Sequence, residues 1–171
     1  MSKLYTTLAR AYHEMYQTLF DYASQYTLFE ALIREQGCRS VLEIGCGSGN
    51  LYPYFMEGGY AYTGLDLSEE MLTIAREEHP EGCFVRGDMR DFDIGETFDA
   101  VLVTGRSFTY MTRNADVHNA LTAMGRHLDH GGLLAFDNFH ARDIFTDFRT
   151  ELTSVCVCGP RTYIRESRNS I

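Results

Sequence analysis

Three glycines at alternate positions, Gly45, Gly47 and Gly49, follow the apolar run Val-Leu-Glu-Ile and precede an amphipathic segment. This pattern predicts a buried strand that ends in a turn too tight for side chains, followed by a helix whose first amide groups have no partner within the helix. Such a turn lets a ligand lie directly against the backbone at the carboxyl end of a parallel sheet. Binding of a small ligand is therefore the first chemistry that the sequence indicates.

Three carboxylates near this turn restrict the ligand that it suits. Glu43 precedes Gly45 by two residues, where its charge would repel a pyrophosphate and attract a cationic amine. Asp66 ends the next predicted strand and can accept hydrogen bonds from both hydroxyls of a ribose. Asp88 ends the third, where it can accept from an adenine amine while Met89 presents an apolar edge to the base. Together they indicate a nucleoside with a cationic amino-acid tail and no phosphate.

The order of four segments carries a resemblance to a known family. Val-Leu-Glu-Ile-Gly-Cys-Gly-Ser-Gly, Gly-Leu-Asp-Leu-Ser-Glu-Glu-Met-Leu, Gly-Asp-Met-Arg-Asp-Phe and Phe-Asp-Ala-Val-Leu-Val resemble successive motifs of class I S-adenosylmethionine-dependent methyltransferases, over residues 39 to about 140. The subgroup that the chain resembles is the small-molecule N-methyltransferases with a tyrosine-rich first helix. The glycine spacing differs from the Gly-x-Gly-x-x-Gly fingerprint of dinucleotide-binding folds. An NAD-dependent oxidoreductase with a degenerate fingerprint is kept as an alternative.

The resemblance implies S-adenosylmethionine as cofactor and S-adenosylhomocysteine as product. It implies that the glycines contact the methionine moiety, that Glu43 lies near its amino group, that Asp66 binds the ribose, and that Asp88 binds the adenine amine. Leu67 and Met89 would flank the base. The full set of candidate cofactor-binding residues is Tyr12, Glu43, Gly45, Cys46, Gly47, Gly49, Asp66, Leu67, Met71, Asp88, Met89, Thr104 and Phe108.

The acceptor site is expected above the ends of the fourth and fifth strands, with Arg106, Ser107, Tyr110, Asn138 and His140 as candidate residues. Similar enzymes often carry Asn where Arg106 stands, a departure that favours a carboxylate on the substrate; a surface salt bridge is the alternative. Methyl transfer is an in-line displacement that a neutral amine performs without a base, whereas a hydroxyl needs one. Nitrogen is therefore favoured over oxygen, and no catalytic residue is assigned.

Strands that alternate with helices must position these residues. Strands are predicted over 40–44, 60–65, 83–86, 98–103 and 133–137, and helices over 3–36 with a break near 20–24, over 50–57, from the Ser68 cap to Pro80, and over 114–128. This order predicts an α/β fold: a Rossmann-like three-layer sandwich with a mostly parallel sheet and N-terminal helices. A single domain, 1–171, is expected, with a helical cap (1–37), a cofactor-binding core (38–140) and a partial substrate cover (141–171).

The tail is predicted to hold a short helix over 141–149 and strands over 152–158 and 161–168. The last strand alternates polar and apolar residues, which favours an antiparallel hairpin with one solvated face. The hairpin either closes the main sheet or begins an inserted cover, in which case the closing strands are missing. The second possibility makes the C-terminal extension incomplete and leaves a truncated or inactive S-adenosylmethionine-binding domain as an alternative function.

Composition excludes several other classes. The net charge of −9 argues against nucleic acid as a partner, and the apolar runs are too short to span a membrane. The five cysteines form no Cys-x-x-Cys, the histidines show no metal-ligand spacing, and no secretory signal is visible. We therefore expect a cytoplasmic monomer or homodimer that holds no metal and acts on a small-molecule acceptor.

Overall fold

The computed structural model describes residues 3–140, 142, 146 and 148–169. Five parallel strands form one sheet in the order β3-β2-β1-β4-β5, and two further strands form an antiparallel hairpin. The strands are β1 (Ser40–Ile44), β2 (Ala61–Asp66), β3 (Cys83–Arg86), β4 (Phe98–Val103), β5 (Leu128–Phe136), β6 (Glu151–Cys158) and β7 (Arg161–Arg168). The helices are α1 (Ala9–Leu19), α2 (Tyr22–Glu35), α3 (Tyr52–Glu57), α4 (Glu69–Glu78) and α5 (Asn114–Arg126), with 3-10 turns at Lys3–Tyr5 and Ser107–Tyr110.

The two central strands are buried on both faces, as parallel strands between helical layers must be. Side chains of β1 and β4 alternate between two apolar clusters. One cluster joins the sheet to α2, α3 and α4, with Ile33 and Phe55 fully buried; the other joins it to α5 through Ala123 and Met124. Strand order reverses between β1 and β4, so a crevice opens at their carboxyl ends. The predicted α/β fold class is confirmed.

Local sequence signals account for the helix boundaries. Phe20 is extended and Asp21 caps α2 by accepting a bond from the Ser24 amide at 3.0 Å, so the N-terminal helix divides within the predicted break. Gly37 ends α2 with a φ of +71°, and Ser68 caps α4 through the Met71 amide. Two boundaries were wrong. The first α-helix begins at Ala9, after a 3-10 turn, and not at residue 3. β5 begins at Leu128, not at residue 133, because Leu128 pairs with Phe98 across a register shift.

The tail strands pair only with each other among the described residues, with Val155 opposite Ile164 and Cys158 opposite Arg161. This hairpin packs against α1 and makes no ladder with β5 among the described residues, so these two strands do not close the main sheet there. Most of the predicted helix over 141–149 lies outside the described residues. None of the described helices combines the length and apolarity needed to cross a membrane.

Candidate functional site

The glycine turn, residues 45–49, is built from backbone that excludes side chains. Gly45, Gly47 and Gly49 have φ values of +79°, +57° and +73°, which glycine alone adopts readily. A Cβ on Gly45 would lie 2.3 Å from Ser107 Oγ, and one on Gly49 would lie 2.9 Å from the Phe84 ring. The turn therefore offers a bare backbone surface at the carboxyl end of β1.

Asp66 ties this turn to the start of α4. One carboxylate oxygen accepts from the Gly47 amide at 2.8 Å, and the other accepts from the Ser68 amide at 2.8 Å. Burial raises the pKa of Asp66, while these backbone donors oppose the rise. Because a carboxylate oxygen can accept more than one hydrogen bond, both oxygens keep acceptor capacity toward the crevice.

Glu43 lies beneath the turn and not at its surface. Only 2% of Glu43 is exposed, and its two oxygens accept from the hydroxyls of Tyr62 and Thr104, each at 2.5 Å. Burial raises its pKa to about 7, against the lowering by these two bonds. The structure thus places Glu43 below the turn with both oxygens bonded to protein hydroxyls, and its expected place near the amino group of a cofactor stays a prediction.

Two other candidates are also behind the turn. Met71 is 3% exposed, and its Cε lies 3.4 Å from where a Cβ of Gly47 would be. Cys46 is 6% exposed, and burial raises the pKa of its thiol well above the usual value. These two side chains lie against the backbone of the turn, and their expected contact with the cofactor stays a prediction.

Asp88 already has a partner. Both of its oxygens accept from Arg90, at 2.9 Å from Nε and 2.5 Å from Nη2, and this guanidinium lowers the pKa of Asp88. The same arginine lies 3.5 Å from Asp116 on α5. The pair is bidentate, so a ligand amine would have to displace Arg90 before it could donate to Asp88. Leu67 is exposed beside the end of β2, and Met89 is partly buried.

Helix α1 lies across the glycine turn, a feature that sequence reasoning missed. His13 Nδ1 lies 2.8 Å from Ser48 Oγ, and Gln17 donates to Asn50 at 2.5 Å. The spacing of His13 and Gln17, one helical turn apart, is the signal that could have found this contact. Tyr12 stacks on Tyr16, with ring centroids 4.0 Å apart. Aromatic and polar side chains of the first helix thus cover the turn, and we call them the roof of the turn.

The segment before α1 reaches the loop after β4. The hydroxyls of Tyr5 and Tyr110 are 2.8 Å apart, and Ser68 donates to the Tyr5 carbonyl. Burial is the main cause of a raised pKa at Tyr5. Tyr110 itself is 59% exposed. This contact joins the N-terminal segment to the acceptor side of the crevice.

The remaining candidates of both sets follow β4 or β5. Ser107 of the acceptor set lies directly against Gly45, and Thr104 of the cofactor set is buried at the start of the loop after β4. Phe108 stacks on Phe136 at 4.7 Å. Asn138 and His140 are exposed beyond β5, where the Asn138 side chain accepts from the Phe139 amide at 2.7 Å.

Arg106 has a left-handed backbone, with φ +60°, and its amide donates to Asp137 at 2.7 Å. Its guanidinium lies over the rings of Phe20 and Phe139. No carboxylate of a described residue forms a salt bridge with it, so the expected alternative of a surface ion pair is not observed in the part of the chain that the structure covers.

Among the described residues, no group of three or more His, Cys, Asp or Glu side chains is arranged to hold a metal ion.

Three known proteins are similar to this chain in sequence or in structure. The chain is 32% identical over 129 residues to the dTDP-3-amino-3,4,6-trideoxy-alpha-D-glucopyranose N,N-dimethyltransferase of Streptomyces venezuelae, covering 74% of this chain and 54% of that enzyme. The sugar N-methyltransferase KedS8 from Streptoalloteichus superposes with a TM-score of 0.80 at 31% identity, over 90% of this chain and 63% of that one. SAM-bound CalS10, an amino pentose methyltransferase from Micromonospora echinaspora, superposes with a TM-score of 0.78 at 28% identity, over 95% of this chain and 68% of that one.

The chain spans about half the length of the curated relatives that it matches. Residues 41–132, more than half of the chain, match the family described as Methyltransferase domain. The alternative of an NAD-dependent oxidoreductase receives no support from these matches. The chain therefore belongs to the methyltransferase domain family, as its resemblance to class I S-adenosylmethionine-dependent methyltransferases predicts.

Proposed function

We propose that this chain binds S-adenosylmethionine at the glycine turn and methylates a nitrogen of a small-molecule acceptor. The observation that carries the proposal is the connection of the turn to Asp66 at the end of β2, whose carboxylate accepts from the Gly47 amide at 2.8 Å. A backbone surface with no room for a Cβ at Gly45, next to a carboxylate suited to a ribose, fits a nucleoside that carries a short tail.

Different residues of the site would bind different parts of S-adenosylmethionine. The glycine turn and its roof of α1 residues would hold the methionine moiety, and Glu43 favours its ammonium group from below when ionised. Asp66 would accept from the ribose hydroxyls. Asp88 would accept from the adenine amine once Arg90 releases it, with Leu67 and Met89 beside the base. When bound, the sulfonium supplies an electrophilic methyl group.

The remaining task of the protein is alignment. Ser107 against Gly45 and the stacked Phe108 fix the loop that must orient an acceptor toward the turn. The aromatic residues of α1 exclude water from the same side. A neutral amine needs no base for attack, and the names of two similar enzymes specify N,N-dimethyl transfer to dTDP-linked amino sugars. These names support nitrogen as the acceptor atom and amino sugars as its chemical class.

A second candidate is donor binding without turnover, the alternative that the sequence also left open. A turnover assay on the purified chain with labelled donor separates the two functions. The division into cap, core and cover, the cytoplasmic location and the monomeric or homodimeric state are further predictions of the sequence.

Calorimetric titration with S-adenosylhomocysteine tests the donor site. We expect micromolar binding, and at least tenfold weaker binding by Asp66→Ala, because the ligand loses a charged acceptor and the Gly47 amide loses its partner. Asp93→Ala, which removes a carboxylate that is 89% exposed in the loop before β4, should bind as the wild type does. Absence of binding at millimolar ligand would refute the proposal.

A further inference from the structure

Arg106 stands beside the glycine turn, on the acceptor side of the crevice. It follows β4 after Thr104 and Gly105, and the next residue, Ser107, has its Oγ 2.3 Å from the position of a Cβ on Gly45. A molecule that approaches the turn along the ends of β4 and β5 therefore meets Arg106 within one residue of the donor site.

The backbone at Arg106 is held in a conformation that a long side chain rarely adopts. Its φ of +60° is the only positive value outside glycine among the described residues. Asp137 holds it there by accepting from its amide at 2.7 Å, and Gln25 of α2 donates to the other oxygen of Asp137 at 3.4 Å. Strain of this kind is found where a side chain must point in one direction for function.

The guanidinium itself has aromatic neighbours where an anion is usual. It lies 4.8 Å from the ring centroid of Phe139 and 5.7 Å from that of Phe20. The carboxylate of Asp137 accepts from the backbone amide of Arg106 and from the side-chain amide of Gln25, and not from the guanidinium. By contrast, Arg161 pairs with Glu14 at 2.7 Å, and Arg90 pairs with Asp88. Aromatic contacts fix the orientation of a guanidinium and leave its N–H donors for another partner.

We infer that Arg106 binds an oxyanion of the acceptor, either a carboxylate or a phosphate. Its planar donors match the two oxygens of such a group, and the charge of −9 on the chain would otherwise repel an anionic acceptor. Binding of the anion stands on the geometry of Arg106. Its assignment to the methyl acceptor rests on the proposed function. Arg106 is thus a specificity-determining residue.

Two probes distinguish the sources of the oxyanion: dTDP for a phosphate and sarcosine for a carboxylate. Each is titrated calorimetrically into wild type, Arg106→Gln, Arg106→Lys and Arg39→Gln, with and without saturating S-adenosylhomocysteine. Arg39 is the matched control, because it is an exposed arginine at the opposite end of the sheet, before β1. We expect Arg106→Gln to weaken the Kd of one probe at least tenfold, Arg106→Lys to weaken it less, and Arg39→Gln to leave it unchanged.

The same titrations keep the two proposals apart. S-adenosylhomocysteine should bind Arg106→Gln as it binds the wild type, which shows that the fold and the donor site are intact. Failure of the wild type to bind S-adenosylhomocysteine contradicts the proposed function, while the titrations without it still test Arg106. The inference is overturned if neither probe binds the wild type, if Arg106→Gln binds both as the wild type does, or if Arg39→Gln weakens them equally.

Discussion

His13 Nδ1 and Ser48 Oγ, 35 residues apart in the chain, are joined by a 2.8 Å hydrogen bond between α1 and the middle of the glycine turn. Ser48 is almost fully buried, so its hydroxyl depends on this partner. Burial also lowers the pKa of His13, which keeps its imidazole neutral at neutral pH. The first helix and the ligand-binding backbone are therefore linked through one side-chain pair.

We predict that His13→Ala loosens α1 and weakens S-adenosylhomocysteine binding about fivefold, since one hydrogen bond contributes about 1 kcal/mol. Hydrogen exchange of the α1 amides, measured alongside calorimetry, should show faster exchange in the variant. His118→Ala removes an exposed histidine from α5 and serves as the control. Unchanged exchange in α1 would mean that the helix is held by its apolar contacts alone.

Gly45 allows backbone strain to be separated from steric exclusion. Gly45 and Gly37 have similar φ values, +79° and +71°, but a Cβ on Gly37 would meet no atom within 4 Å. We expect Gly37→Ala to reduce the free energy of unfolding by about 1 kcal/mol, the cost of a left-handed alanine. Gly45→Ala should cost at least about 1 kcal/mol more, because the new methyl group overlaps Ser107.

Urea unfolding of the two variants measures this difference, and Ser107→Gly provides the internal check. Adding Ser107→Gly to Gly45→Ala removes the overlapping atoms and should recover the excess, bringing the double variant close to Gly37→Ala. Equal destabilisation by the two alanines would show that the loop after β4 moves aside freely.

The elements that local pattern determines were predicted from the sequence. β1, β3 and β4 have the predicted limits because short apolar runs bounded by turn residues are local signals. Helix limits are local too: Ser68 caps the start of α4 with a hydrogen bond, and Gly37 ends α2 with a positive φ. Partners distant in the chain could not be predicted in this way. The contact of His13 with Ser48 and the burial of Glu43 between Tyr62 and Thr104 depend on how the elements pack.

The same reason explains why the partner of Asp88 was not predicted. Its position at the end of β3 follows from the strand pattern, but its ion pair with Arg90 is a choice of rotamer that periodicity does not encode. The hairpin is a similar case. Its alternation predicted β6 and β7, whereas its seat on α1 required side chains from the other end of the chain.

Glu43 gives the protein a pH dependence near neutrality. Its pKa in the folded state is about 7, above the ordinary 4.5, so between these values the folded protein holds a proton that the unfolded chain has lost. The stability contributed by the neutral form is complete below pH 4.5 and is lost as pH rises through 7. We expect the free energy of unfolding of wild type, relative to Glu43→Gln, to fall by on the order of 3 kcal/mol across this range.

Urea unfolding of both proteins at intervals from pH 4.5 to 8 measures the difference. Asp66, whose pKa is also raised, is present in both and cancels. Ionised Glu43 also favours a cationic amine above the turn, so S-adenosylhomocysteine should bind more tightly as pH rises through 7 in the wild type and not in the variant. Parallel stability profiles would show that Glu43 is ionised throughout.

Glu14 on α1 holds the hairpin of β6 and β7 against this helix. Its carboxylate accepts from Arg161 at 2.7 Å and from the Tyr163 hydroxyl at 2.5 Å, and its carbonyl accepts from Cys158 at 3.1 Å. The bonds from Tyr163 and Arg161 lower the pKa of Glu14, so they persist in mildly acidic solution. This one residue meets both strands of the hairpin.

We therefore predict that Glu14→Ala releases the hairpin and increases the rate of tryptic cleavage after Arg161 and Arg165, because local opening exposes these bonds to the protease. Mass spectrometry of timed digests locates the cuts. Glu166→Ala, on an exposed position of β7, is the control and should digest as the wild type does. Because the contacts that Glu14 makes lie on the hairpin and not in the glycine turn, S-adenosylhomocysteine affinity should change less than in His13→Ala. Equal digestion of all three proteins would show that the remaining contacts, among them the bond from Arg165 to Tyr16 and the burial of Cys156, are sufficient to hold the hairpin on α1.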